Sequence, residues 1–156
     1  MSPATPHNPH NPHNPSYPLY VAEPSFTYPS APAVVVDSSV MCAFLFDEPE
    51  RVDAMAQMSG KSLWAPRLLN YEVLSVAIKK LRKGAPKARL QEALSDFKRQ
   101  AIDIADPLLE EQFALAQRYD LSAYDAAYLW LAAELHAPLL TFDKQLAQAA
   151  QAHLSA

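Results

Sequence analysis

Four acidic side chains stand where a charge is hard to place. Asp37 directly follows Val34-Val35-Val36, and Asp143 follows Leu139-Leu140-Thr141-Phe142 in the same way. Glu72 shares a helical stripe with Leu68, Leu69, Ser75 and Val76, its neighbours one turn away. Asp125 opens the segment Ala126-Ala127-Tyr128-Leu129-Trp130-Leu131-Ala132-Ala133, which is apolar nearly all round and therefore reads as a buried helix. The other acids need no such account. Glu48, Glu50 and Asp53 decorate a surface helix, while Glu110 and Glu111 sit near a helix N-terminus, where negative charge is favoured. Carboxylates are rarely buried unless paired, because an isolated charge is expensive to remove from water.

Each of the four has a local alternative. Asp37 and Asp143 could cap the helices that follow them, and Asp125 could serve its own helix dipole. Glu72 has the weakest alternative, being neither at a helix end nor on a polar face. Taken together, the four suit one shared acidic site. Crowded carboxylates repel one another and would protonate in isolation. A hard divalent cation removes that conflict, and Mg²⁺ or Mn²⁺ matches an all-oxygen donor set. No Cys or His stands beside these acids, which argues against zinc. The chemistry that fits is metal-assisted phosphodiester hydrolysis.

The surrounding pattern would bring these residues together. Residues 33–37 form a β-branched run suited to a buried parallel strand. Helices are expected over 38–46 and 48–58, the second with Pro49 in its first turn. A second strand over 61–65 precedes a long helix from Pro66 to Lys83 that stops at Gly84. A helix over 86–99, a strand over 101–105, helices over 107–119 and 124–136, a strand over 138–142 and a closing helix over 143–154 complete the chain. Strands alternating with helices imply an α/β fold with a parallel sheet. Ligands of such sheets bind at the carboxyl ends of the strands, which is where Asp37 and Asp143 fall.

Residues 1–32 differ in kind. They hold 9 of the 14 prolines and three histidines, in the repeat His7-Asn8-Pro9, His10-Asn11-Pro12, His13-Asn14-Pro15. Proline blocks both helix and sheet ladder, and too little apolar surface is present to offset ordering entropy, so a disordered tail is expected. Its histidines could bind a transition metal weakly or simply be solvated. Asn14-Pro15-Ser16 is not a glycosylation sequon, since proline holds the middle place. The 156 residues thus read as one tail and one domain, 33–156.

The net charge of −4 lends no general attraction to nucleic acid, although a local patch can still bind it. A single cysteine, Cys42, excludes an internal disulfide and reads as a buried structural thiol in a reducing compartment. No apolar run approaches the ~20 residues of a membrane span, and no secretory signal is visible in the first 50 residues, which lack Lys and Arg. A cytoplasmic protein is expected.

The residues around the four acids resemble those of the PIN-domain ribonucleases, and within them the VapC toxins. Val34-Val35-Val36-Asp37-Ser38-Ser39 is similar to the family's opening strand and first acid. Pro66-Arg67-Leu68-Leu69-Asn70-Tyr71-Glu72-Val73 resembles its second acidic block. Leu121-Ser122-Ala123-Tyr124-Asp125-Ala126-Ala127-Tyr128-Leu129 is similar to the third and most specific block, and Pro138-Leu139-Leu140-Thr141-Phe142-Asp143 to the fourth. Four blocks in order form a strong pattern, covering most of the domain. The resemblance implies a PIN-like three-layer sandwich with a short parallel sheet of four strands, or five, flanked by helices. It implies Mg²⁺- or Mn²⁺-dependent endonucleolytic cleavage of RNA by a metal-activated water. Asp37, Glu72, Asp125 and Asp143 would bind metal directly or through water, with Ser39 and Thr141 orienting the carboxylates. It also implies a homodimer silenced by a cognate VapB-type antitoxin. Two features depart from the pattern: no fifth strand is evident before Ala156, and the Pro-rich tail is not a family feature.

Residues 79–99 carry eight Lys and Arg against Glu92 and Asp96, a local charge of +6. Lys79, Lys80, Arg82 and Lys83 are therefore candidate RNA contacts, as is Arg67 near Glu72; the alternative is a solvated helical face. Two rival functions stay open: a catalytically silent PIN-like interaction module, and another Mg²⁺-dependent phosphohydrolase. An Asp-x-Asp opening would favour the latter, but position 39 is Ser. Two glycines, Gly60 and Gly84, offer no phosphate-cradling loop for a nucleotide-binding enzyme.

Overall fold

The computed structural model describes residues 30–156. The tail expected over residues 1–32, with its histidine repeat, lies almost wholly outside them.

The chain begins with β1 (Ala33–Val36), α1 (Ser38–Leu45), α2 (Arg51–Met58), β2 (Ser62–Ala65) and α3 (Leu68–Arg82). It continues through α4 (Lys87–Arg99), β3 (Asp103–Ile104), α5 (Leu109–Tyr119), α6 (Ala123–Glu134), β4 (Leu139–Leu140) and α7 (Lys144–Leu154). The four strands form one sheet in the order β3-β2-β1-β4. Every pairing is parallel, with Val34 opposite Leu63, Val35 opposite both Trp64 and Leu139, and Trp64 opposite Asp103. The α/β sandwich expected from the sequence is the fold observed. Its sheet has four strands; no fifth is present among the described residues.

The order of strands matters for function. From β1 the chain builds outward through β2 to β3, then returns to lay β4 on the other side of β1. The strand order reverses between β1 and β4, and in open parallel sheets the crevice at such a reversal is where ligands bind. Asp37 and Asp143 follow the two strands that flank it.

Packing explains the central place of β1. Val34, Val35 and Val36 are all buried, so both faces of this strand are covered. Helix α6 supplies Ala126, Ala127, Tyr128, Leu129, Leu131 and Ala132 to the interior, matching its apolar circumference. Met41, Leu69, Val73 and Leu146 complete the core from three more helices, α1, α3 and α7.

Elements are shorter than expected where a side chain or a backbone turn ends them. Asp47 takes a left-handed conformation, so α2 starts at Arg51 rather than at residue 48. Ala101 is also left-handed (φ 50°), which bends the chain before β3. In β4 the ladder stops at Leu140, because the Phe142 N–H donates to the Ser39 hydroxyl and the Asp143 N–H to the Thr141 hydroxyl. Helix α3 stops as expected, at Gly84 with φ 92°.

Candidate metal centre

Asp37 is the buried anchor. Its residue is 4% exposed and is the only charged group in the described core. It occupies the N-cap position of α1, yet its side chain makes no capping hydrogen bond. Instead the Ser39 and Thr141 hydroxyls each donate to Oδ2 at 2.7 Å, and Ser38 donates to Oδ1 at 3.3 Å. The capping alternative for this residue therefore fails at its side chain. The two residues that hold Oδ2, Ser39 and Thr141, are those the family resemblance implied as carboxylate orienters.

Asp143 does cap. Its Oδ1 accepts from the Leu146 N–H at 2.8 Å, at the start of α7. Asp125 lies in the first turn of α6, where the Ser122 hydroxyl donates to Oδ2 at 2.7 Å and accepts from the Asp125 N–H at 3.0 Å. Three of the four acids thus stand at helix N-termini, whose partial positive charge offsets some of their repulsion.

Glu72 comes from the second turn of α3, and its partner is unexpected. The hydroxyl of Tyr128, a fully buried residue of α6, donates to Oε2 at 2.6 Å across 56 positions of sequence. Burial pushes the Glu72 carboxyl above its ordinary range; the Tyr128 hydroxyl pulls it back, Asp37 pushes it further up, and Ser38 and Asp125 act in opposite directions after that. Burial likewise raises Asp125, against the hydrogen bond from Ser122, with Asp143 and Asp37 adding repulsion. Asp37 and Asp125 thus repel Glu72, and Asp37 and Asp143 repel Asp125.

They do not close into a cage. Among the described residues, no three Asp, Glu, His or Cys side chains are gathered tightly enough to hold a metal unaided. The donor set is nonetheless wholly oxygen, mutually repelling and partly desolvated. That suits a hard divalent ion that keeps several of its own waters between itself and the protein.

Three positioning residues were not singled out from the sequence. Ser122, three places before Asp125, follows the spacing of a helix-capping pair and was recognisable in principle. A buried tyrosine needs an acceptor, but nothing in the sequence names Glu72 as the acceptor for Tyr128. Ser38 is hidden by its neighbour Ser39.

The proposed RNA contacts are dispersed. Arg67 lies just before α3, where its backbone N–H and its Nε both donate to Asp106, at 2.8 and 3.2 Å. Lys79, Lys80 and Arg82 occupy the last turn of α3, and Lys83 follows them. Lys79 is seven residues beyond Glu72, about 10 Å along the axis. Lys80 pairs with Glu48 at 3.0 Å. Lys79, Arg82 and Lys83 make no ion pair among the described residues. Lys80, Lys83 and Arg89 help line a cleft of about 820 Å³ at the α3–α4 turn, which Asp47, Glu92 and Asp96 share.

The architecture is a parallel α/β sandwich with carboxylates at its strand-order reversal. The PIN-domain family model matches residues 34–152, and the chain belongs to that family. It is 32% identical over 121 residues to Ribonuclease VapC3 of Pyrobaculum aerophilum, a match spanning 74% of this chain and 92% of that one. The fold is also similar to the crystal structure of PAE2754 from Pyrobaculum aerophilum, with a TM-score of 0.59, 24% identity, and coverage of 80% of this chain and 88% of that one. Within the PIN family the chain is of the VapC type.

Proposed function

We propose that this protein is a Mg²⁺- or Mn²⁺-dependent endoribonuclease and the toxin of a VapBC-type pair. The observation that carries the reading is the hydroxyl-clamped Asp37, buried at the strand-order reversal and electrostatically linked to Glu72 and Asp125. The similarity to a ribonuclease of the VapC kind supports RNA as the substrate.

Asp37, Glu72, Asp125 and Asp143 would hold the metal, directly or through water. When bound, the ion supplies Lewis acidity, lowering the pKa of water and offsetting charge on the phosphoryl oxygens. Ser39 and Thr141 fix the Asp37 carboxylate, so that it does not rotate away as charge develops. Tyr128 does the same for Glu72, and Ser122 for Asp125. Lys79, Arg82 and Lys83, about 10–16 Å down α3 from Glu72, are placed to meet phosphates some nucleotides from the cut.

A silent interaction module is the weaker reading, since all four acidic positions are filled and two carry the raised pKa expected of functional carboxylates. A VapB-type antitoxin and a second copy of the chain are the expected protein partners. The apolar stripe of Leu74, Ile78 and Leu81, exposed along α3, suits contact with one of them. No helix among the described residues is long and apolar enough to cross a membrane.

The test compares cleavage of total RNA by the wild-type chain and Asp37→Asn with Mg²⁺, Mn²⁺ or EDTA. Activity is expected only from the wild type with metal. Cleavage that persists in EDTA and in the variant refutes the mechanism.

A further inference from the structure

Among the described residues the sheet has two edge strands, β3 and β4. They are not equally guarded. The β3 edge carries Asp103, and a charge on an edge discourages further pairing. The segment Pro138-Leu139-Leu140-Thr141-Phe142 carries no charge. In β4 the Pro138 and Leu140 carbonyls accept from the Val35 and Asp37 N–H groups, at 2.9 and 3.0 Å. Backbone groups alternate sides along a strand, so the N–H and C=O of Leu139 point away from β1, toward a lane that no described strand fills. Leu139 and Leu140 are only half-buried, whereas Val34, Val35 and Val36 of β1 are fully buried. An apolar hollow of about 200 Å³ opens beside this edge, lined in part by Val40 of α1, Ala54 and Gln57 of α2, Leu140 and Phe142.

We infer that residues 25–28 of the same chain dock on this edge as a fifth strand, antiparallel to β4, with an aromatic ring in the hollow. Ser25-Phe26-Thr27-Tyr28 is bounded by Pro24 and Pro29, so any strand here is limited to these four residues. Phe, Thr and Tyr favour strands. Phe26 and Tyr28 are two apart and share one face of such a strand. Residues 24–32 carry no charge, so nothing ionic is buried with them. Reach selects the edge. The lane outside β4 lies two strand spacings, ~9.6 Å, from β1. Five Cα steps join Tyr28 to Ala33, and at ~3.3 Å each they span this with slack for a turn. The lane outside β3 is three spacings away, ~14 Å, across two other strands, and leaves little slack. A segment that enters β1 at its amino end after such a short link runs opposite to β1, and hence to β4. The added strand lies one step from Thr141, whose hydroxyl holds Asp37.

The experiment follows amide hydrogen exchange in the full chain by NMR. The test variant is Phe26→Asp with Tyr28→Asp, and Tyr17→Asp is the control at another aromatic of the same tail. The quantity read is the exchange rate of the Leu139 N–H relative to that of Val35, whose N–H is bonded inside the sheet and reports on the domain as a whole. This ratio is expected to rise about tenfold in the double variant, the worth of one hydrogen bond. It should stay at the wild-type value in Tyr17→Asp, and in the wild type it should not depend on protein concentration. An unchanged ratio in the double variant overturns the inference, and so does a rise that Tyr17→Asp matches. Protection of Leu139 that weakens on dilution would assign the edge to a second copy of the chain and overturn it too. None of these outcomes depends on RNA cleavage, so the ribonuclease reading stands or falls separately.

Discussion

Replacing Tyr128 with Phe removes one oxygen from the core and leaves the ring in its place. Tyr128 is fully buried, and its hydroxyl donates to Glu72 at 2.6 Å. A hydrogen bond to a charged group is worth about 1.5–3 kcal/mol, equivalent to roughly 10- to 150-fold in an equilibrium. Loss of a side chain that orients a metal ligand typically weakens metal binding by about 10- to 100-fold. Glu72 is only half-buried, so water replaces part of the lost bond and the lower end, about tenfold, is the expectation. The direction with pH follows from the same contact. The Tyr128 hydroxyl lowers the Glu72 pKa against burial and Asp37, so Tyr128→Phe moves the acidic limb of metal affinity to higher pH. Titration of Mn²⁺ into the variant, with free ion followed by electron paramagnetic resonance at several pH values, measures both effects. A thermal melt checks that the variant is folded. Mn²⁺ affinity and pH dependence identical to wild type would refute the role given to this bond.

Two further outcomes follow from the same electrostatics. Glu72 and Asp125 have raised folded pKa values, so the folded state holds protons that the unfolded chain releases. In EDTA these groups should make the protein more stable as pH falls through their raised folded values, down to the ordinary carboxylate range of about 4. Thermal melts of wild type and Glu72→Gln should show that the variant loses part of this slope, and a saturating divalent metal should abolish it. The Cys42 thiol is pushed up to about 12, first by burial and then by Glu48, Glu72 and Asp37. It should resist a thiol-reactive disulfide reagent at neutral pH in the native state and react once the chain is unfolded; rapid native-state labelling would contradict its burial.

Much of the candidate site is visible in local sequence because burial and charge conflict there. Three valines before Asp37, and an apolar pair shortly before Asp143, mark strands that end in acids. Glu72 declares itself as a carboxylate in a leucine stripe. The supporting contacts are less visible. Thr141 reaches Asp37 across 104 positions and Tyr128 reaches Glu72 across 56, and no periodicity encodes such pairings. The shortened β3 and β4 were illegible for a related reason. A left-handed Ala101 and a hydroxyl substituting for a ladder bond are decided by tertiary neighbours, whereas strand propensity is a local average.

The sequence alone determined the kinds of element and their order, and it singled out the four candidate acids, because hydrophobic period and the cost of burying charge act over a few residues. Tertiary structure decided that β4 pairs with β1 rather than extending the sheet beyond β3, and this brings Thr141 onto Asp37 and Asp143 close by. It also decided that Asp37 is held by hydroxyls while Asp143 caps a helix, two roles that the same residue type after the same kind of strand could not distinguish. The physical reason is that strand order is set by how helices cover both faces of the sheet, a property of the packed whole.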